Sequence, residues 1–330
     1  MRHFTTMAWV FAFSVLPATA ALASPPVTVL ETFDASQGQL PESITADDAG
    51  NLYFSVGGTL RKLTTNHQLI TLATIPVPVT QGAATLGVKV GPNGFIYVVT
   101  AAFAPNLSAA FVWRVSPAGQ VSQFADLNLP GAIPNDLVFD VLGNLYVTDS
   151  GLGQIWKIDP QGNPTVWFKD PLLLGDATKP VAGAPLGANG IAFDRFRRHL
   201  YVANTDFGRI VRIGFQRGQA RGIETVTTSD LLRGADGIAF DALGILFVAV
   251  NASDRIATVG WDGTVSVLVE GAPLDAPSSL VFGTRCSDRR TLFITNFAIL
   301  RANGLKTDHP PQPSMASVPV LIPGLDLDIP

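Results

Sequence analysis

Six short stretches of the chain share one local pattern, and in five of them an oxygen-bearing residue stands two places before the apolar residue that anchors a strand-like run. The residues at that place are Glu42 in PESITAD, Leu86 in LGVKVGP, Asn135 in PNDLVFD, Asn189 in ANGIAFD, Asp236 in ADGIAFD and Ser278 in PSSLVFG. Four of the six are a carboxylate or a carboxamide, Ser278 adds a hydroxyl, and Asp136, one place further on, adds another carboxylate. Taken singly, Asn, Asp and Ser at strand starts are turn chemistry, because they hydrogen-bond nearby backbone. Glu42 has no such preference. If the six stretches converge, their carboxylates repel unless a cation or a shared proton compensates. Oxygen donors without His or Cys suit Ca²⁺ first, with Mg²⁺ or Mn²⁺ next, and Zn²⁺ stays open. The pattern therefore points to a divalent metal in a shared mouth.

The elements around these residues must bring them together. The first apolar residues of the six runs are Ile44, Val88, Leu137, Ile191, Ile238 and Leu280, at spacings of 42 to 54 residues. Each run alternates apolar and polar residues and ends at a turn such as Gly143-Asn144. A second strand of the LYVTD type follows, then a third. Segments such as VSQFADL from Val121 and PTVWFKD from Pro164 read as fourth, outer strands. A self-similar unit of this size with four short strands is a β-propeller blade. The expectation is an all-β chain, a six-bladed β-propeller with four-stranded blades over residues 24–302. The early segment VTVLETF (Val27–Phe33) matches the outer strands and is expected to complete the last blade, whose third strand is placed near Ala298–Ala302. Closure of that kind removes exposed strand edges. The proline-rich tail over residues 303–330 is expected either to trail as a linker or to pack on the ring.

Composition narrows the functional classes. The chain has 330 residues, 47% of them hydrophobic and only 15% charged, with a net charge of −4. It holds no basic run, so a nucleic-acid partner is not expected. One cysteine, Cys286, excludes an internal disulfide framework. Arg2, the apolar run Ala8–Leu16 and the small residues around Ala18–Ala23 read as a secretory signal over residues 1–23, too short to span a membrane. Export to a periplasm or to the medium follows from that reading, with no membrane span and a monomer expected for the mature protein.

The repeats and their polar ring resemble the superfamily of senescence marker protein, gluconolactonase and luciferin-regenerating enzyme, and more distantly paraoxonase and strictosidine synthase. The resemblance covers roughly Pro41–Phe297. It implies a divalent metal held by Glu42 of the first blade, Asn135 of the third, Asn189 of the fourth and Asp236 of the fifth. It also implies Asp236 as the base that activates water. Asp149, at the end of a second strand, is the substitute expected to face the same mouth. Glu42 is followed by Ser-Ile where the family usually has Gly-Pro. None of His3, His67, His199 and His309 is expected in the mouth, so a paraoxonase-like His base is not evident.

Other residues near the mouth divide between two roles. Asn204 and Asn296 could contact substrate hydroxyls or cap strands. Phe103 and Phe207 could line a pocket wall or anchor loops. The long connections Ala101–Ala110, Asn128–Pro134 and Pro171–Gly187 are expected on the mouth face as its wall or lid. The chain lacks a GxSxG elbow, HExxH, CxxC and a P-loop. The reading is a secreted, metal-dependent hydrolase of small-molecule lactones or related esters. The alternatives are a non-enzymatic ligand- or protein-binding propeller with a structural metal, and a lyase or isomerase that stabilises an enolate with the same metal. A narrow polar mouth favours catalysis, and a broad apolar face favours a partner.

Overall fold

The computed structural model describes residues 24–104 and 107–325. The expected signal over 1–23 lies outside them. Among the described residues there are six sheets, each with four antiparallel strands, and the only α-helix is the single turn Ile299–Ala302. The sheets form the six blades of a propeller. The inner strands are Pro41–Ala46, Ala83–Val90, Pro134–Phe139, Ala188–Phe193, Ala235–Phe240 and Pro277–Phe282. They pack on one another in ring order, the last against the first.

Alternation along these strands explains the packing. Leu137 and Phe139 of blade three lie in one buried cluster with Tyr97, Val99 and Val112 of blade two. Ile191 and Phe193 of blade four cluster with Val138, Tyr146 and Ile155 of blade three. Burying such side chains contributes roughly 1.5–3 kcal/mol each. The core is therefore a series of interblade layers, and the second-strand tyrosines belong to it.

The sixth blade differs from the sequence expectation in one strand. Its order from the axis outward is Pro277–Phe282, Thr291–Asn296, Ser314–Pro319 and Thr28–Thr32. The early strand does close the ring, but the third strand comes from the tail rather than from Ala298–Ala302. Ser314, Met315, Ala316 and Val318 are buried there. The residues at 299–302 form a helical turn whose Arg301 is fixed by three carboxylates, Asp254 (2.9 Å), Asp275 (2.6 Å) and Asp308 (2.7 Å). Part of the expected tail is thus a blade strand. The described residues after that strand reach blade five, where the amide of Leu325 donates to the carbonyl of Phe240.

The mouth lies where inner strands begin. Two of the connections expected there, Asn128–Pro134 and Pro171–Gly187, are tied down by side chains. Asp206 accepts from the amides of Asp176 (3.0 Å), Val181 (2.8 Å) and Leu186 (2.7 Å), which orders the long connection between blades three and four.

Candidate metal and active site

In every blade the pairing of inner and second strands slips just before the first apolar residue. The slips fall between Pro41 and Ile44, Thr85 and Val88, Pro134 and Leu137, Ala188 and Ile191, Ala235 and Ile238, and Pro277 and Ser279. A bulge re-aims the side chains it carries. Here it turns the recurring polar residues toward the axis. They line a tight recess formed by Glu42, Ser43, Gly87, Asn135, Asp136, Asn189, Asp236, Gly237, Ser278 and Ser279. No large apolar side chain lines it. Leu86, at the equivalent place in blade two, is buried instead and its carbonyl accepts from Ser55 Oγ (2.9 Å).

Not all the oxygens of this ring are free for a ligand. The residues one place before each strand join neighbouring blades. Ser43 Oγ accepts from the Val88 amide (3.0 Å), Asp136 Oδ2 from the Ile191 amide (3.1 Å) and Ser279 Oγ from the Ile44 amide (3.4 Å). Ser278 Oγ donates to the Glu42 carbonyl (2.5 Å). At Gly87 and Gly190 the neighbouring carbonyls come so close that a Cβ would lie 2.3 Å from Asn135 O and 2.2 Å from Asp236 O. The blades therefore meet backbone to backbone around the axis. Glu42, Asn135, Asn189 and Asp236 are left as the buried side chains aimed at the recess.

Three of these four are held by a residue that the sequence reading passed over, the one that follows the second strand of the same blade. Asn135 Nδ2 donates to Ser150 Oγ (3.4 Å) and Asn189 Nδ2 to Thr205 Oγ1 (3.0 Å). Asn251 Nδ2 donates to Asp236 Oδ2 (3.0 Å). Ser150 and Thr205 in turn donate to the carbonyls of Ala188 (2.6 Å) and Ala235 (2.9 Å) in the next blade. Each hydroxyl proton is thus committed, so each carboxamide must present its nitrogen there. Its oxygen is left for the recess.

The electrostatics match this geometry. Burial, with the nearby charges of Asp236 and Asp136, holds the Glu42 carboxyl well above the usual range. Burial pushes Asp236 up to about 8; the hydrogen bond from Asn251 works against the shift and the charge of Asp136 works with it. Glu42 Oε2 and Asn189 Oδ1 are buried with no hydrogen-bond partner. Buried polar atoms are rarely left so. Two costly carboxylates and two orphaned oxygens in one small recess are what a hard cation would neutralise and satisfy, so the residues fit such a group. The set is mixed, two carboxylates and two carboxamides. Among the described residues no three His, Cys, Asp or Glu side chains form a metal-binding group by themselves.

Asp149 is not brought to the recess. It is fully buried, and it accepts from the amides of Ile133 (2.9 Å) and Leu152 (3.1 Å) and from Trp156 Nε1 (3.0 Å). Its work is to pin the connection that precedes its own blade. Asn204 and Asn296 occupy the same place and do the same. Asn204 donates to the carbonyls of Leu172 and Leu174, and Asn296 Oδ1 accepts from the Asp275 amide. Phe103 and Phe207 are exposed near the mouth, and Arg209 stacks on the Phe207 ring at 4.5 Å. None of His67, His199 and His309 lines the recess.

Fold and recess together define a six-bladed propeller with an oxygen-donor ring at the mouth of its axis. The model of the SMP-30/gluconolactonase/LRE-like region matches residues 40–298, and the chain belongs to that family. Solved structures share the fold. A luciferin-regenerating enzyme is 15% identical over 91% of this chain and 97% of its own, with a TM-score of 0.66. A calcium-binding regucalcin from Agrobacterium tumefaciens is 18% identical over 91% and 95%, also at 0.66. A gluconolactonase from Xanthomonas campestris is 17% identical over 92% and 94%, at 0.61. No curated protein matches the chain.

Proposed function

We propose that this protein is an exported, divalent-metal-dependent hydrolase of lactones or closely related esters. The observation that carries the reading is the recess itself, where four buried side chains from four blades converge and leave Glu42 Oε2 and Asn189 Oδ1 without partners. Membership of a family named for gluconolactonase supports the substrate class. Glu42, Asn135, Asn189 and Asp236 would hold the cation, with Ca²⁺ the best match to an all-oxygen set. When bound, it supplies a Lewis acid that polarises the ester carbonyl and offsets the charge that develops on its oxygen.

The remaining work falls to the chain. Asp236 would take a proton from the attacking water and return it to the alkoxide oxygen as the ring C–O bond breaks. A general base works best with a pKa near the operating pH. Burial lifts Asp236 toward that range, which offsets the lowering that a neighbouring cation imposes. Asn251 fixes Oδ2 of this carboxylate and so sets its orientation. The reacting ester group would meet the cation at the opening of the polar recess, and the rest of the substrate would lie between the mouth connections. The N-terminal 1–23 segment supports export by its sequence alone.

Metal content of the purified protein, wild type beside Glu42→Ala, is the test. About one ion per chain in the wild type, lost in the variant, is expected. Hydrolysis across a panel of sugar, aromatic and acyl lactones should be lost with it. A wild type without bound ion, and without thermal stabilisation by added Ca²⁺, overturns the metal assignment. A loaded, folded protein inert on the whole panel overturns the hydrolase assignment.

A further inference from the structure

The five most exposed large apolar side chains among the described residues all lie on the face opposite the mouth. They are Trp261 (84% exposed), Leu321 (80%), Leu142 (72%), Phe196 (70%) and Leu243 (68%). Leu142, Phe196 and Leu243 sit in the turns between inner and second strands of blades three, four and five, at the ends of those strands away from the recess. Trp261 caps the turn between third and fourth strands of blade five, and Leu321 follows the third strand of blade six. Single exposed apolar residues are ordinary. Five of them gathered on one face are not.

Arginines cluster in two turns of the same face. Arg195, Arg197 and Arg198 lie in the blade-four turn, and Arg285, Arg289 and Arg290 in the blade-six turn. Neither turn is a long basic run; the fold brings them to one side of a chain whose net charge is −4. Hydrogen bonds make the surface continuous. Arg197 Nη1 reaches the carbonyl of Phe139 and Arg195 Nη1 that of Ala242, each at 3.3 Å. The Ala242 amide donates to Pro323, and the amides of Val320 and Gly324 donate to Arg290 and Arg289. The guanidinium groups of Arg195 and Arg198 lie 5.5 and 5.9 Å from the Phe196 ring. The carboxylates of Asp47, Asp140, Asp159, Asp194, Asp241 and Asp288 accept amide hydrogens within their own turns, while Asp48 and Asp262 are exposed on this side.

We propose that this face docks the protein on an anionic lipid bilayer, with the mouth turned to water. The apolar tips project singly from separate turns, which suits insertion among lipid headgroups. A protein partner would need a separate pocket for each tip. Aromatic and aliphatic tips beside arginines are the mixture that settles at the headgroup boundary, where guanidinium groups pair with lipid phosphates. A soluble polyanion would use the arginines and leave the tips idle.

The full chain should co-sediment with vesicles of phosphatidylcholine containing phosphatidylglycerol, less with phosphatidylcholine alone, and be released by salt. The double variant Phe196→Ser/Leu321→Ser and the double variant Arg195→Glu/Arg290→Glu should each weaken partition about tenfold or more, with melting temperature unchanged. The blue shift of tryptophan emission on binding should be smaller in Trp261→Phe and in Phe196→Ser/Leu321→Ser than in the wild type. Residues 1–23 are common to all these proteins, so differences among them report on this face. Absence of binding to the anionic vesicles overturns the proposal. So does binding untouched by either double variant. Binding lost with the arginines but untouched by the apolar substitutions would mark a polyanion site and overturn it equally.

Discussion

A carboxamide can turn either end toward a ligand, and at Asn189 one hydroxyl settles which. Thr205 Oγ1 spends its proton on the Ala235 carbonyl and accepts the Asn189 amide nitrogen, so the oxygen faces the axis. Thr205→Val keeps the shape and removes that constraint. It should weaken cation affinity about 10–100-fold, with Thr205→Ser restoring it, as read by metal titration. The carboxylates make a second prediction. Asp236 and Glu42 bind protons more tightly folded than unfolded. The metal-free protein should therefore lose thermal stability as pH rises from about 4 toward 8, and added Ca²⁺ should abolish that slope. A melting series across this range checks it. The four ring residues were legible in the sequence because they share one register before one kind of strand. Ser150, Thr205 and Asn251 were not, because Ser, Thr and Asn after a strand look like any turn. Asp149 was misplaced by a single residue. The last residue of the second strand points to the preceding connection, and the next one points to the axis.

At the scale of the strand, the bulge before each inner strand does the aiming, and the glycines around the axis set how closely the blades approach. Gly87→Ala and Gly190→Ala each push a Cβ into a carbonyl of the neighbouring blade. A cost of about 1–3 kcal/mol is expected, visible as a lower denaturant midpoint, and Gly190→Ala should also loosen the recess beside Asp236. Strand periodicity gave away the six inner strands and the outer ones. It failed at Ala298–Ala302, where apolar residues precede a buried arginine that no alternation pattern accommodates. Asp254 and Asp275 come from distant parts of the chain, so their claim on Arg301 is invisible locally. Removing that arginine leaves Asp275 buried and uncompensated. Arg301→Ala should cost about 3–5 kcal/mol, measured by thermal or chemical unfolding.

For the molecule as a whole, repeat spacing carried most of the architecture, since six units of similar length leave few other ways to bury their faces. The one piece that spacing could not assign was the strand Ser314–Pro319, set apart from its blade by the connection through 297–313. A chain ending after Ala302 lacks it, and Thr28–Thr32 then has no strand to pair with. Such a truncation is expected to be unfolded or aggregated, as judged by far-UV circular dichroism and sedimentation. The pairing of Thr28–Thr32 with Ser314–Pro319 also has a meaning in time. A ribosome makes the first of these strands long before the second. Five blades can assemble meanwhile, but the sixth stays incomplete until Ser314–Pro319 emerges, and the ring that gathers the oxygens of Glu42, Asn135, Asn189 and Asp236 is locked only when that strand takes its place.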